Sequence, residues 1–129
     1  MSISYTLYLR RQTPPEVSPG KLVWMATGPV GEPSATYTAE DFGIRPTCSV
    51  RFRPDKWNPI EARAELASLV GEILRQDDDD ALLVFNGELP LLRRKQGRVV
   101  LSSRSPWTTP EEISQFGLCV EIEDLGAVV

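Results

Sequence analysis

Five consecutive apolar residues, Ala81-Leu82-Leu83-Val84-Phe85, run directly into Asn86-Gly87. The continuous apolar run reads as a strand buried on both faces. Asn and Gly both tolerate the positive φ of a type I′ turn, so the chain is predicted to fold straight back on itself. Glu88 to Arg93 supplies the returning strand, and Arg94-Lys95-Gln96-Gly97 a second turn. Arg98-Val99-Val100-Leu101-Ser102 completes a three-stranded meander.

The rest of the chain is read around that meander. Ile3, Tyr5, Leu7 and Leu9 alternate with Ser4, Thr6, Tyr8 and Arg10, the period of a half-buried strand. Thr13 to Gly20 contains three prolines and breaks regular structure. Leu22 to Ala26 predicts a short second strand closed by turn residues Gly28 to Pro33. From about Arg45 or Thr47 to Arg53 a longer strand points Cys48, Val50 and Phe52 inward. Asn58 as cap, Pro59 as first residue and Glu61 three after the cap predict a helix to about Gln76 with a box-like start. Leu66, Leu69, Val70, Ile73 and Leu74 form its apolar face, while Glu61, Arg63, Glu65, Glu72 and Arg75 mark a solvated side. Thr109, Pro110 and Glu112 start a short second helix, and Leu118 to Glu123 reads as the last strand. The expected fold is α+β: an antiparallel sheet with one main helix packed on one face and a short second helix near the C-terminus. With neither repeat nor long linker, residues 1–129 are expected to form a single domain.

Composition narrows the chemistry. The 129 residues carry 14 Lys and Arg against 18 Asp and Glu, a formal charge of −4 that argues against a nucleic-acid partner. No apolar run approaches the length of a membrane span and no signal peptide is visible, so no membrane partner and a cytoplasmic location are expected. There is no histidine, which removes the commonest general base and most zinc sites. The two cysteines, Cys48 and Cys119, are separate and read as reduced, packed thiols. Glycine spacing forms no phosphate loop. Trp107, between Pro106 and Thr108, is expected to plug the edge of the core.

Asp77-Asp78-Asp79-Asp80 is the most conspicuous charged feature. It lacks the alternate spacing and glycine turn of a calcium loop and reads as a solvated loop or a protein-contact patch. Arg93-Arg94-Lys95 with Arg98 lies at a hairpin bend, where charge is ordinary. Glu121 and Glu123 share one strand face but have no opposing carboxylate to make a glycosidase geometry. No catalytic, cofactor-binding or metal-binding residue is assigned.

Three blocks carry a resemblance. Asp41-Phe42-Gly43-Ile44-Arg45-Pro46-Thr47, continuing through Ser49 to Arg53 and Asp55-Lys56, is the first. Asp80 to Glu88, Leu91 to Arg94 and Gly97 to Leu101 make the second, and Trp107 to Glu111 the third. Together with Tyr5 to Leu9, they resemble the swarming-inhibition immunity proteins, which protect bacteria from a toxin exchanged between siblings. Where a helix-forming stretch is expected after the first strand, the proline-rich Thr13 to Gly20 stands instead. The resemblance implies a non-enzymatic protein that binds and neutralises a cognate protein toxin, the product of a neighbouring gene, without a cofactor. Asp77, Asp78, Asp79, Asp80, Glu121, Glu123 and Asp124 are then the expected toxin contacts. The alternative is a small ligand-binding domain or enzyme using the sheet face opposite the helix.

Overall fold

A computed structural model describes residues 3–11, 15–16 and 20–126. The strands are β1 (Tyr5–Leu9), β2 (Val23–Pro29), β3 (Cys48–Pro54), β4 (Ala81–Phe85), β5 (Leu89–Lys95), β6 (Arg98–Ser102) and β7 (Glu121–Glu123). They form one seven-stranded sheet in the order β2-β3-β1-β4-β5-β6-β7. The helices are α1 (Ser34–Phe42), α2 (Pro59–Leu74) and α3 (Pro110–Ser114). The α+β expectation holds: α2 is the main helix, α3 is short, and every strand pair but one is antiparallel.

That one pair is the exception within the antiparallel sheet. β7 runs parallel to β6, with Val100 opposite Glu121 and Ser102 opposite Glu123. A crossover containing α3 returns the chain in the same direction, as a parallel pair requires. β7 is also shorter than the expected Leu118–Glu123 strand, because Leu118 and Val120 pack against the core instead of joining the ladder.

The meander forms as its turns dictate. Asn86 and Gly87 both have positive φ, 49° and 77°, and the Glu88 N–H closes the turn on the Phe85 carbonyl at 3.1 Å. Gln96 and Gly97 repeat this at the next bend, with φ of 53° and 79°.

β4 is buried on both faces because each face has its own cover. Ala81 and Leu83 belong to the main core under α2, with Leu7, Val50, Phe52, Leu66 and Val70. Leu82 and Val84 point the other way, into a smaller cluster with Ile44, Tyr8 and Phe42 at the end of α1.

α1 is absent from the sequence reading. Its Thr36-Tyr37-Thr38 centre has poor helix propensity, and its Pro33 cap makes no side-chain hydrogen bond. Tertiary contacts hold it instead: Arg45 pairs with Glu32, and Thr36 donates to the same carboxylate. Gly43 closes its C-terminus in the left-handed region at φ 75°.

Three further expectations change. β2 extends through Pro29, past the expected end at Ala26; as an edge strand it tolerates a residue without an N–H. The box at Asn58 and Glu61 does not form: the Asn58 amide donates to Asp55 at 3.0 Å, and α2 has no side-chain cap. Glu65 is not simply solvated, since its carboxylate accepts the backbone N–H groups of Lys21 and Leu22 at 2.9 and 2.8 Å. The Thr13–Gly20 segment lies outside the described residues apart from Pro15, Glu16 and Gly20.

Candidate functional site

The acidic loop after α2 is a loop, as its four carboxylates dictate, but its aspartates have different fates. Asp77 receives two guanidiniums, Arg94 at 2.8 Å and Arg11 at 3.3 Å. Asp80 accepts the Gln96 N–H at 3.2 Å and lies 3.9 Å from Arg10. Only Asp78 and Asp79 are exposed with no ion pair among the described residues.

Arg94 explains the arrangement. It is 4% exposed, and beyond Asp77 it donates to the backbone carbonyls of Asp79, at 2.7 Å, and Leu74, at the end of α2. One buried cation thereby answers the helix C-terminus and fixes the loop below it.

The C-terminal acidic residues are paired as well. Glu121 and Glu123 share one strand face, as their spacing predicts, and both grip Arg98; hydrogen bonding to Glu121 is the main reason that guanidinium holds its proton more tightly than usual. Asp124 lies 3.0 Å from Arg104 and accepts the Gly126 N–H, which lowers its carboxyl pKa. The structure therefore does not gather the expected contact residues into one free acidic surface.

At the other end of α2 a different surface is gathered. A groove of about 440 Å³ is lined by Ile3, Tyr5, Arg53, Lys56, Pro59 and Arg63, among others. The start of β1 with Ile3 before it, the end of β3 with Asp55 and Lys56 after it, and the first five residues of α2 contribute the lining. Tyr5 is itself buried, which raises its phenol pKa, and it stacks toward Phe85 and Trp107 at ring distances of 5.2 and 6.2 Å. Trp107 is 2% exposed, packs edge-on to Phe116 at 4.9 Å and donates its indole N–H to the Arg63 carbonyl, so it does plug the core edge.

Large apolar side chains are exposed at this end of the fold: Ile3 lines the groove, and Ile60 lines an adjoining depression of about 130 Å³ that shares Arg63 with it. Trp57 is 80% exposed, Ile60 70%, Trp24 54% and Ile3 48%. Lys56 lies over the Trp57 ring and Arg53 over Trp24, each 5.2 Å from the ring centroid. Three cations line the groove against one carboxylate, Asp55. Asp55 is turned to its own chain: the Trp57 N–H and the Asn58 amide both donate to it, which lowers its pKa. No motif or periodicity in the sequence marks this surface. Its signal was Trp57 itself, a large aromatic in a polar turn with no periodic partner.

The face opposite α2 is partly filled by α1, and the depression beside Phe42 and Leu82 measures about 100 Å³. Among the described residues no group of three or more Cys, Asp and Glu is placed to hold a metal ion, and no helix is long and apolar enough to cross a membrane. Both cysteines are free; Cys48 is buried as expected, but Cys119 is exposed, because the chain there lies outside the ladder.

A family model described as SitI3-like matches residues 17–112. No curated protein and no solved structure matches the chain significantly.

Proposed function

The chain belongs to the SitI3-like family, and from that premise we propose that it is an immunity protein that binds and neutralises a cognate protein toxin without covalent chemistry. The family match over residues 17–112 is the observation that carries this reading. On it, the protein is a single-domain cytoplasmic binder, not an enzyme, and its partner is encoded beside it. Neutralisation of this kind asks for a rigid surface with a few anchoring side chains and complementary charge. A seven-stranded sheet with α2 over its main core and α1 over part of the other face supplies rigidity. Of the acidic residues expected to meet the toxin, Asp78 and Asp79 are the two whose charge is not engaged within the described chain, so they are the proposed steering charges.

The test is growth of cells expressing the neighbouring gene's product with and without this chain. Toxicity of the neighbour alone, relieved when this chain is present, is the expected result. A harmless neighbour, or toxicity that persists with folded protein present, would overturn the reading. For steering, Asp78→Asn with Asp79→Asn should lower the association rate at low salt and flatten its salt dependence, while leaving the dissociation rate nearly unchanged.

A further inference from the structure

We propose that the groove at the N-terminal end of α2 is the surface that anchors the toxin, and that it receives an acidic segment carrying an apolar side chain. This rests on the reading of the chain as a toxin-binding protein and adds where, and with what chemistry, it binds.

Three independent features converge there. The first is exposed apolar area: Ile3 lines a groove large enough to hold an aromatic or branched side chain, Trp57 stands in solvent beside its Lys56, and Ile60 lines the adjoining depression across Arg63. Tryptophan and arginine are the residue types that most often anchor protein interfaces. The second is charge. In a chain of net charge −4, this groove is lined by Arg53, Lys56 and Arg63; Arg63 lies 3.6 Å from Glu112, Arg53 and Lys56 have no ion pair among the described residues, and the one carboxylate of the lining is occupied by Trp57 and Asn58. The third is α2 itself, a helix of 16 residues that begins without a side-chain cap, so the positive end of its dipole adds to the same field.

The acidic loop lies at the opposite end of α2, about 24 Å away along the helix. Steering from that loop and anchoring in the groove are therefore separable. The cations here select an acidic segment and disfavour a basic one.

The experiment uses the full chain and the neighbouring gene's product, scored by co-purification, dissociation rate and growth rescue. Trp57→Ala and Ile60→Glu remove side chains that are mostly in solvent, so the melting temperature should stay near that of the unaltered protein. Together they are expected to weaken binding by at least about thirtyfold, chiefly through faster dissociation, and to abolish rescue. Lys56→Glu with Arg53→Glu should weaken it similarly, whereas Asp78→Asn with Asp79→Asn should not change the dissociation rate. If the unaltered chain binds and rescues while the groove variants do so equally well, the groove is not the anchor, although the immunity reading stands. If the unaltered chain neither binds nor rescues, both fall. Self-association that Trp57→Ala abolishes, with toxin binding unaltered, would assign the groove to a second copy and overturn the proposal.

Discussion

Arg94 sits 2.8 Å from Asp77 with 5% of its side chain exposed, and this contact joins the end of α2 to the strand two places further along the chain. Removing the guanidinium would leave the carbonyls of Leu74 and Asp79 without this donor and the Asp77 carboxylate with Arg11 alone. Arg94→Met is therefore expected to destabilise the fold by about 2 kcal/mol. Asp78→Asn, on the exposed aspartate next in the chain, should stay within about 0.5 kcal/mol. Urea denaturation of the two variants checks the contrast; equal midpoints would contradict it.

Gly71 lies inside α2, where helix propensity alone favours alanine by about 1 kcal/mol. A Cβ there would stand 1.8 Å from the carbonyl oxygen of Phe116, which also accepts from Arg75 at 2.8 Å. Gly71→Ala should consequently lower the melting temperature, opposite in sign to the propensity. A rise would mean that the chain after α3 does not pack against the helix.

The box predicted at Thr109 does form. The Glu112 N–H donates to the Thr109 hydroxyl, and the Thr109 N–H and hydroxyl donate to the Glu112 carboxylate, holding its pKa below the usual range. A lowered carboxyl pKa contributes stability that is present above the unfolded value and lost as pH falls through the folded one. Thr109→Ala should cost about 1 kcal/mol at neutral pH, and less as the solution is acidified. The Glu112 carboxyl pKa, followed by NMR titration, should move part of the way up in that variant, since the backbone N–H of residue 109 still donates to it; no movement would detach the shift from the Thr109 hydroxyl.

Cys48 is buried, and burial pushes its thiol pKa up, whereas Cys119 is exposed. Alkylation of the native protein is expected to modify Cys119 and spare Cys48 until denaturant is added. Mass spectrometry after a short iodoacetamide pulse reads this directly, and early modification of Cys48 would show that β3 opens.

Particular elements show what was legible before the fold was known. β4 and β6 fall at the predicted residues because a turn of Asn-Gly or Gln-Gly and the apolar runs beside it are local signals. The Thr109 box is equally local. The corresponding box at Asn58 failed because Asp55, three residues earlier, takes the asparagine amide, a choice between two nearby partners that residue types do not settle. α1 was not legible because its helix owes more to Arg45, Glu32 and the Phe42 packing than to its own propensities.

The candidate site divides along the same line. Sequence by itself determined that Asp77 to Asp80 form a loop, that Glu121 and Glu123 share a face, and that Trp107 belongs to the core. Only the tertiary structure decided which charges remain free and which residues meet. Arg11, Arg94, Arg98 and Arg104 come from other parts of the chain to engage Asp77, Glu121, Glu123 and Asp124. Ile3, Arg53, Lys56 and Arg63 come together as a groove only when β1 inserts between β3 and β4 beneath α2. Backbone periodicity and turn chemistry act between neighbours in sequence, whereas ion pairing and surface burial act between neighbours in space, and folding is what makes the second set.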